Sequence, residues 1–177
     1  RYQTLQLLQK DAENDYAYAL VLLRLTKNKE AVPILSQASR ARHVPAMQAE
    51  VALLLSQKQW AVAVERMERV AGWLNDDQPL IPENADRTQL TEWLGRAVST
   101  GQLVTTQAID VQRFQRVDAT IRAQLTDADR QAYVNGFDAV ITLEEQLASS
   151  SEEVEKSATA RLEAERVAEK ARLKNEQ

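Results

Sequence analysis

The chain has no cysteine, a single histidine, four glycines and four prolines, and only 5% of its 177 residues are aromatic. Each shortage excludes something. Without a thiol there is no disulfide, no cysteine nucleophile and no iron–sulfur or zinc-finger site. One imidazole, His43, cannot supply a His-Glu-x-x-His metal centre. So few glycines argue against a sheet-rich fold, whose turns need more of them. No apolar run reaches the roughly 20 residues that cross a bilayer, because the longest, Ala17 to Leu25, is interrupted by Arg24. A formal charge of −4 gives no electrostatic reason to approach a phosphate backbone. The chain is therefore expected to take no metal, no cofactor and no nucleic acid, and to have no transmembrane segment.

What is present points to helices. Hydrophobic residues make up 44% of the chain and charged ones 27%, enough to bury a core within one domain and leave an appendage. The first residue is Arg1 rather than methionine, so a leader, lipid-anchor segment or upstream domain is expected to have been removed. Freedom from cysteine suits an oxidising compartment, and the bacterial periplasm is the expected location, with the cytoplasm as alternative.

Within Asp11 to Thr26, Tyr16, Ala19, Leu20 and Leu23 recur at helical spacing and give an amphipathic helix. The polar stretch Thr26 to Lys29 ends it. Pro33 and Pro45 are tolerable only near helix starts, which sets a second helix over Glu30 to Arg40 and a third from about Pro45 to Ser56. Gln59 to Leu74 makes a fourth. Leu25-Thr26-Lys27-Asn28-Lys29-Glu30-Ala31-Val32 matches Leu55-Ser56-Gln57-Lys58-Gln59-Trp60-Ala61-Val62 at an offset of thirty residues, and Ala19, Val21 and Leu23 match Ala49, Val51 and Leu53 at the same offset. Two copies of a helix–turn–helix unit, each stacked on the other, is the physical expectation.

This stretch, residues 11 to 72, resembles the tetratricopeptide and Sel1-like families of helical repeats. The resemblance lies in the Ala/Leu/Tyr-rich first helix, the short polar turn, the Ala-Val pair opening the second helix, and the linking segment Ala38 to Ala46. The period is shorter than the roughly 34 residues of tetratricopeptide units, and Asn28 and Lys58 stand where turn glycines are usual. Trp93-Leu94-Gly95 has a fainter likeness to the start of such a unit. The resemblance implies an all-α solenoid of stacked antiparallel hairpins whose groove takes a peptide or helix of another protein. Periplasmic proteins of this kind also resemble lipoproteins that support envelope assembly, export or signalling.

The expected organisation is helical repeats over 1–74, a proline-containing linker over 75–85 with Leu80 and Ile81 pinned to the core, a helical hairpin region over 86–148, and a charged helical extension over 149–177. In the third part, Leu90, Trp93, Leu94 and Ala97 form a stripe that Gly101 should terminate. A helix from about Val104 to Leu125 presents Ile109, Phe114, Val117 and Ile121. Thr126-Asp127-Ala128-Asp129 is an N-cap signal for a final helix that carries Tyr133, Phe137, Val140, Ile141, Leu143 and Leu147, with Gly136 as a weak point or a close-approach site. Beyond Ala148 the composition turns to Glu, Lys, Arg and Ala. Glu152 and Lys156 are spaced to pair on one helix, and the extension is a candidate coiled-coil arm that pairs with itself or with a partner.

No chemical site stands out. Asp76 and Asp77 lack the ligand pattern of a calcium loop, and Glu144 and Glu145 read as a solvated helix edge. His43 reads as a cap or surface residue. Tyr16, Tyr18, Glu50, Trp60 and Trp93 are the candidate partner-binding residues, with Tyr18 and Glu50 taken as surface positions and the tryptophans as anchors if they share a groove. A noncatalytic interaction scaffold is the leading expectation. The alternatives are a carboxylate-dependent enzyme domain acting on cell-wall glycans and a structural oligomer built through the C-terminal helix.

Overall fold

A computed structural model describes residues 2–75 and 86–175, so all of the expected linker except Asn75, with Leu80, Ile81, Asp76 and Asp77, lies outside the described residues. The described residues form seven α-helices and no strand: α1 (Tyr2–Arg24), α2 (Asn28–Arg40), α3 (Val44–Ser56), α4 (Trp60–Asn75), α5 (Arg87–Val104), α6 (Ala108–Gln124) and α7 (Asp127–Asn175). The fold is all-α. The chain divides within α7 into two compact units, Arg1–Asp138 and Ala139–Gln177. That division precedes the change of composition at Ala148.

In the first unit the three turns joining α1 to α4 repeat one geometry. Each has three residues, and the middle one takes a positive φ: Thr26 at 59°, Arg42 at 62° and Lys58 at 59°. The amide that follows it returns to a carbonyl of the preceding helix, Lys27 to Leu22 at 2.9 Å, His43 to Ala38 at 3.2 Å and Gln59 to Leu54 at 2.9 Å. This is the left-handed helix-ending motif in which glycine is usual. Here three non-glycine residues take it, and helices α2, α3 and α4 start sixteen residues apart as a result.

Burial follows the same spacing. Ala19, Leu35, Val51 and Met67 are buried at one equivalent position, and Leu22, Ala38, Leu54 and Val70 at another. A two-helix unit therefore recurs every thirty-two residues, which corrects the offset of thirty read from the sequence. At thirty, Val21, which is 49% exposed, would be matched with Val51, which is 1% exposed. Turn geometry and burial set the register, and the similar residues around Thr26 and Ser56 are out of step with it.

Each of α1 to α4 packs on the next in chain order. Alanines make this close packing feasible, since short side chains let helix surfaces interdigitate. Ala12, Ala19, Leu35, Ala38 and Ala46 form one apolar cluster from α1, α2 and α3. A second cluster takes Met47, Val51 and Leu54 from the opposite side of α3 and joins them to α4, α5, α6 and the start of α7. Pro33 lies on the exposed face of α2 and inside the helix, past its first turn, so it does not mark a helix start as the sequence suggested.

The remaining elements of this unit are built differently. Asp86 caps α5 by accepting from the Thr88 amide at 2.8 Å. Helix α5 then runs through Gly101 to Val104, so this glycine does not end it as the sequence suggested. The Phe114 ring of α6 lies where a Cβ at Gly101 would project. At Gly95 an added Cβ would collide with the Tyr133 backbone, and at Gly136 with the backbone of Glu92 and Arg96. Gly136 is thus a close-approach site. On α6, Phe114, Val117 and Ile121 are buried, whereas Ile109 is 68% exposed and does not share their face. Thr126 opens α7, accepting from the Asp129 amide at 3.4 Å while its hydroxyl donates to the Asp129 carboxylate at 2.6 Å.

The second unit is the remainder of α7. From Ile141 to Lys170 its side chains are exposed, including Ile141, Leu143 and Leu147, which were expected to pack in a hairpin. Glu152 and Lys156 form no ion pair among the described residues.

Candidate docking groove of the first unit

Helices α3 and α5 touch, and the start of α4 lies beside them. Their surfaces enclose an open groove of about 540 Å³. Val51 and Leu55 of α3, Trp60 of α4, and Trp93, Ala97 and Val104 of α5 supply its apolar lining. The turn that precedes α4 fixes Trp60 as its first residue, and the ring stands edge-on to Phe114 with centroids 6.3 Å apart. Both tryptophans are half-buried, held by the core and open on the groove side. Two cations border this surface. Lys58 is the left-handed residue of the turn and has no ion pair among the described residues, while Arg96 bonds Glu92 at 2.7 Å. Among the described residues no carboxylate lines the groove. A half-open apolar trough with aromatic walls and positive borders can hold the apolar side chains of a peptide and attract a nearby acid.

Of the residues singled out from the sequence, the structure brings together Trp60 and Trp93. The other three lie elsewhere. Tyr18 is 55% exposed on α1, and Tyr16 is half-buried with its ring 5.1 Å from that of His43. Glu50 is not a surface residue: it is 1% exposed and its Oε1 accepts from Arg66 Nε at 2.9 Å. Arg66 also reaches Ser36 at 3.5 Å and Glu65 at 3.0 Å, so this group ties α2, α3 and α4 together. A carboxylate in a face this apolar persists only because a cation meets it there.

The remaining ionisable groups act in the frame. His43 caps α3, its Nδ1 accepting from the Ala46 amide at 3.2 Å. Burial lowers its pKa, and the Glu13 carboxylate opposes this only in part, so the neutral capping form is favoured. Burial alone would raise Asp129, but hydrogen bonds from Arg87 and Thr126 and the charge of Arg87 outweigh it and hold the carboxyl below its ordinary value. Tyr133 is pushed up by burial and by Asp118, whose carboxylate accepts from the phenol at 2.8 Å. Among the described residues no cluster of three His, Asp or Glu is placed to hold a metal ion. Among them too, no helix is long and apolar enough to cross a membrane.

Lys58, Arg96, Val104 and the α3 residues of the lining were not anticipated. Lys58 was legible as a turn residue and Arg96 as a helix-surface cation, but their shared position arises from the contact between α3 and α5. No protein-family model, curated protein or solved structure matches this chain.

Proposed function

We propose that the first unit is a noncatalytic protein-interaction scaffold, built from stacked helical hairpins of the tetratricopeptide and Sel1-like kind, that docks an apolar, acid-bearing segment of a partner protein between Trp60 and Trp93. One observation carries this reading: an acidic chain sets two half-buried tryptophans and two cations around an apolar groove whose lining, among the described residues, holds no carboxylate. The thirty-two-residue spacing of equivalent turns supports the repeat assignment, being close to the roughly 34 residues of tetratricopeptide units. Tryptophan in a concave, partly desolvated position is the residue type that most often dominates such interfaces. A helix entering the groove would present anchors at i, i+3 and i+4, with its acids toward Lys58 and Arg96.

The test is a titration of the intact protein with synthetic amphipathic peptides that carry such anchors, flanked either by glutamates or by lysines. The glutamate series should produce saturable changes in tryptophan emission and bind about tenfold more tightly than the lysine series, a difference of about 1.4 kcal/mol. Trp93→Ala should lose that binding while keeping the helical content of the parent. Absence of saturable binding by every peptide in the set would refute the groove.

A further inference from the structure

The second unit supports an inference independent of the groove. Val140, Leu143, Leu147, Ser151, Val154, Ala158 and Leu162 follow one another at steps of three, four and four residues. An eleven-residue repeat of that form stays close to the natural helical period, so these residues keep to one narrow side of α7. A strict heptad through Val140 would instead place Ser157 and Arg161 on the seam. Leu143, Leu147, Val154 and Leu162 are between 56% and 67% exposed. A lone helix with its apolar side in water is marginally stable, since most helical stability in proteins comes from packing that side.

The charges say what covers it. From Ala139 to Glu155 the acids are Glu144, Glu145, Glu152, Glu153 and Glu155, and there is no base. From Lys156 to Lys170 the bases Lys156, Arg161, Arg166 and Lys170 outnumber Glu163, Glu165 and Glu169. Glu144, Glu145, Glu152, Glu153, Glu155, Lys156, Arg161 and Arg166 form no ion pair among the described residues, which leaves them to pair between molecules. We propose that residues 139–170 pair with the same segment of a second copy of this chain as an antiparallel two-stranded coil. Centred near Val154, the pair lays Leu147 beside Leu162 of the second copy and Glu153 beside its Lys156, while Glu144 and Glu145 face its Glu165 and Ala164, with Arg161 and Arg166 flanking them. A parallel pair would set the acidic half against itself. Flanking charges of this kind select orientation in coiled coils.

The absence of native cysteine makes the orientation measurable on the full chain. Leu147→Cys and Leu162→Cys variants are prepared separately, oxidised alone and as an equimolar mixture, and the parent chain is weighed by sedimentation equilibrium. The parent should have the mass of two copies, and Leu147→Asp with Leu162→Asp should halve it. The mixture should give a disulfide cross-link between position 147 of one copy and position 162 of the other, while neither variant alone links to itself. A parent mass other than two copies, self-linking of either variant alone, or no mixed cross-link would overturn the proposal.

Discussion

The stack α1–α4 and the group formed by α5, α6 and the start of α7 use glycine in opposite ways. In the stack, three turns demand a left-handed residue, and Thr26, Arg42 and Lys58 supply it. In the group, Gly95, Gly101 and Gly136 lie inside helices, where a neighbouring ring or backbone occupies the space of a Cβ. Glycine in this group therefore marks where helices touch and not where the chain turns. The stack keeps its register through repeated backbone hydrogen bonds, a buried charge pair and the one side-chain cap of His43 on α3. The group relies on side-chain caps, Asp86 and Thr126, and on close backbone contact.

The contrast can be broken most severely at the charge pair. Arg66→Met leaves the Glu50 carboxylate buried without its cation and should lower stability by about 4 kcal/mol in urea denaturation. Adding Glu50→Leu should restore most of the loss, whereas an unrestored double variant would show that Arg66 acts through its other contacts. On the opposite side of the comparison, Gly136→Ala should cost about 3 kcal/mol, since the obstruction is the backbone of α5. Gly72→Ala is the control: a Cβ there meets nothing within 4 Å, and the helix should gain about 0.5–1 kcal/mol.

In the turns the sign reverses. Thr26 is β-branched and held at a φ of 59°, so Thr26→Gly should raise stability by about 1 kcal/mol, the relief of left-handed strain exceeding the added chain entropy. An unchanged or lowered midpoint would mean that the turn is not strained. The smallest effect is the pH dependence of the cap on α3. Folding lowers the pKa of His43, so its contribution is present above the ordinary value of 6.5 and is lost as pH falls through the lower folded value. His43→Asn keeps a capping acceptor and removes this titration. Its stability should fall less than that of the parent when urea midpoints at pH 7.5 and pH 5.5 are compared.

Much of the fold was legible because helical periodicity, Pro45 and the Thr126 cap are local signals, whereas Pro33 lies inside α2 and not near its start. The turn register was not. With no glycine at Thr26, Arg42 or Lys58, the matching residues Thr26 and Ser56 suggested an equivalence two residues out of step. Gly101 looked like a helix end because its partner, Phe114, sits on the next helix and leaves no mark on the sequence around the glycine. Ile109, Ile141, Leu143 and Leu147 show that an apolar residue on a helix is buried only when another element reaches it. At the candidate site, Trp60 and Trp93 were identifiable as anchors by residue type. Their convergence depends on the contact between α3 and α5, a tertiary fact. Glu50 was misplaced on the surface because its cation, Arg66, lies on the following helix, sixteen positions away.

The central claim, that the groove docks an apolar and acidic segment, is tested most directly by reversing its one cation without an ion pair among the described residues. The measurement is the ratio of affinities for the glutamate-flanked and lysine-flanked peptides, in the parent and in Lys58→Glu, at low ionic strength. The parent should prefer the glutamate series, and Lys58→Glu should shift the ratio toward the lysine series by about tenfold or more. An identical ratio in the two proteins, with binding intact, would contradict the account.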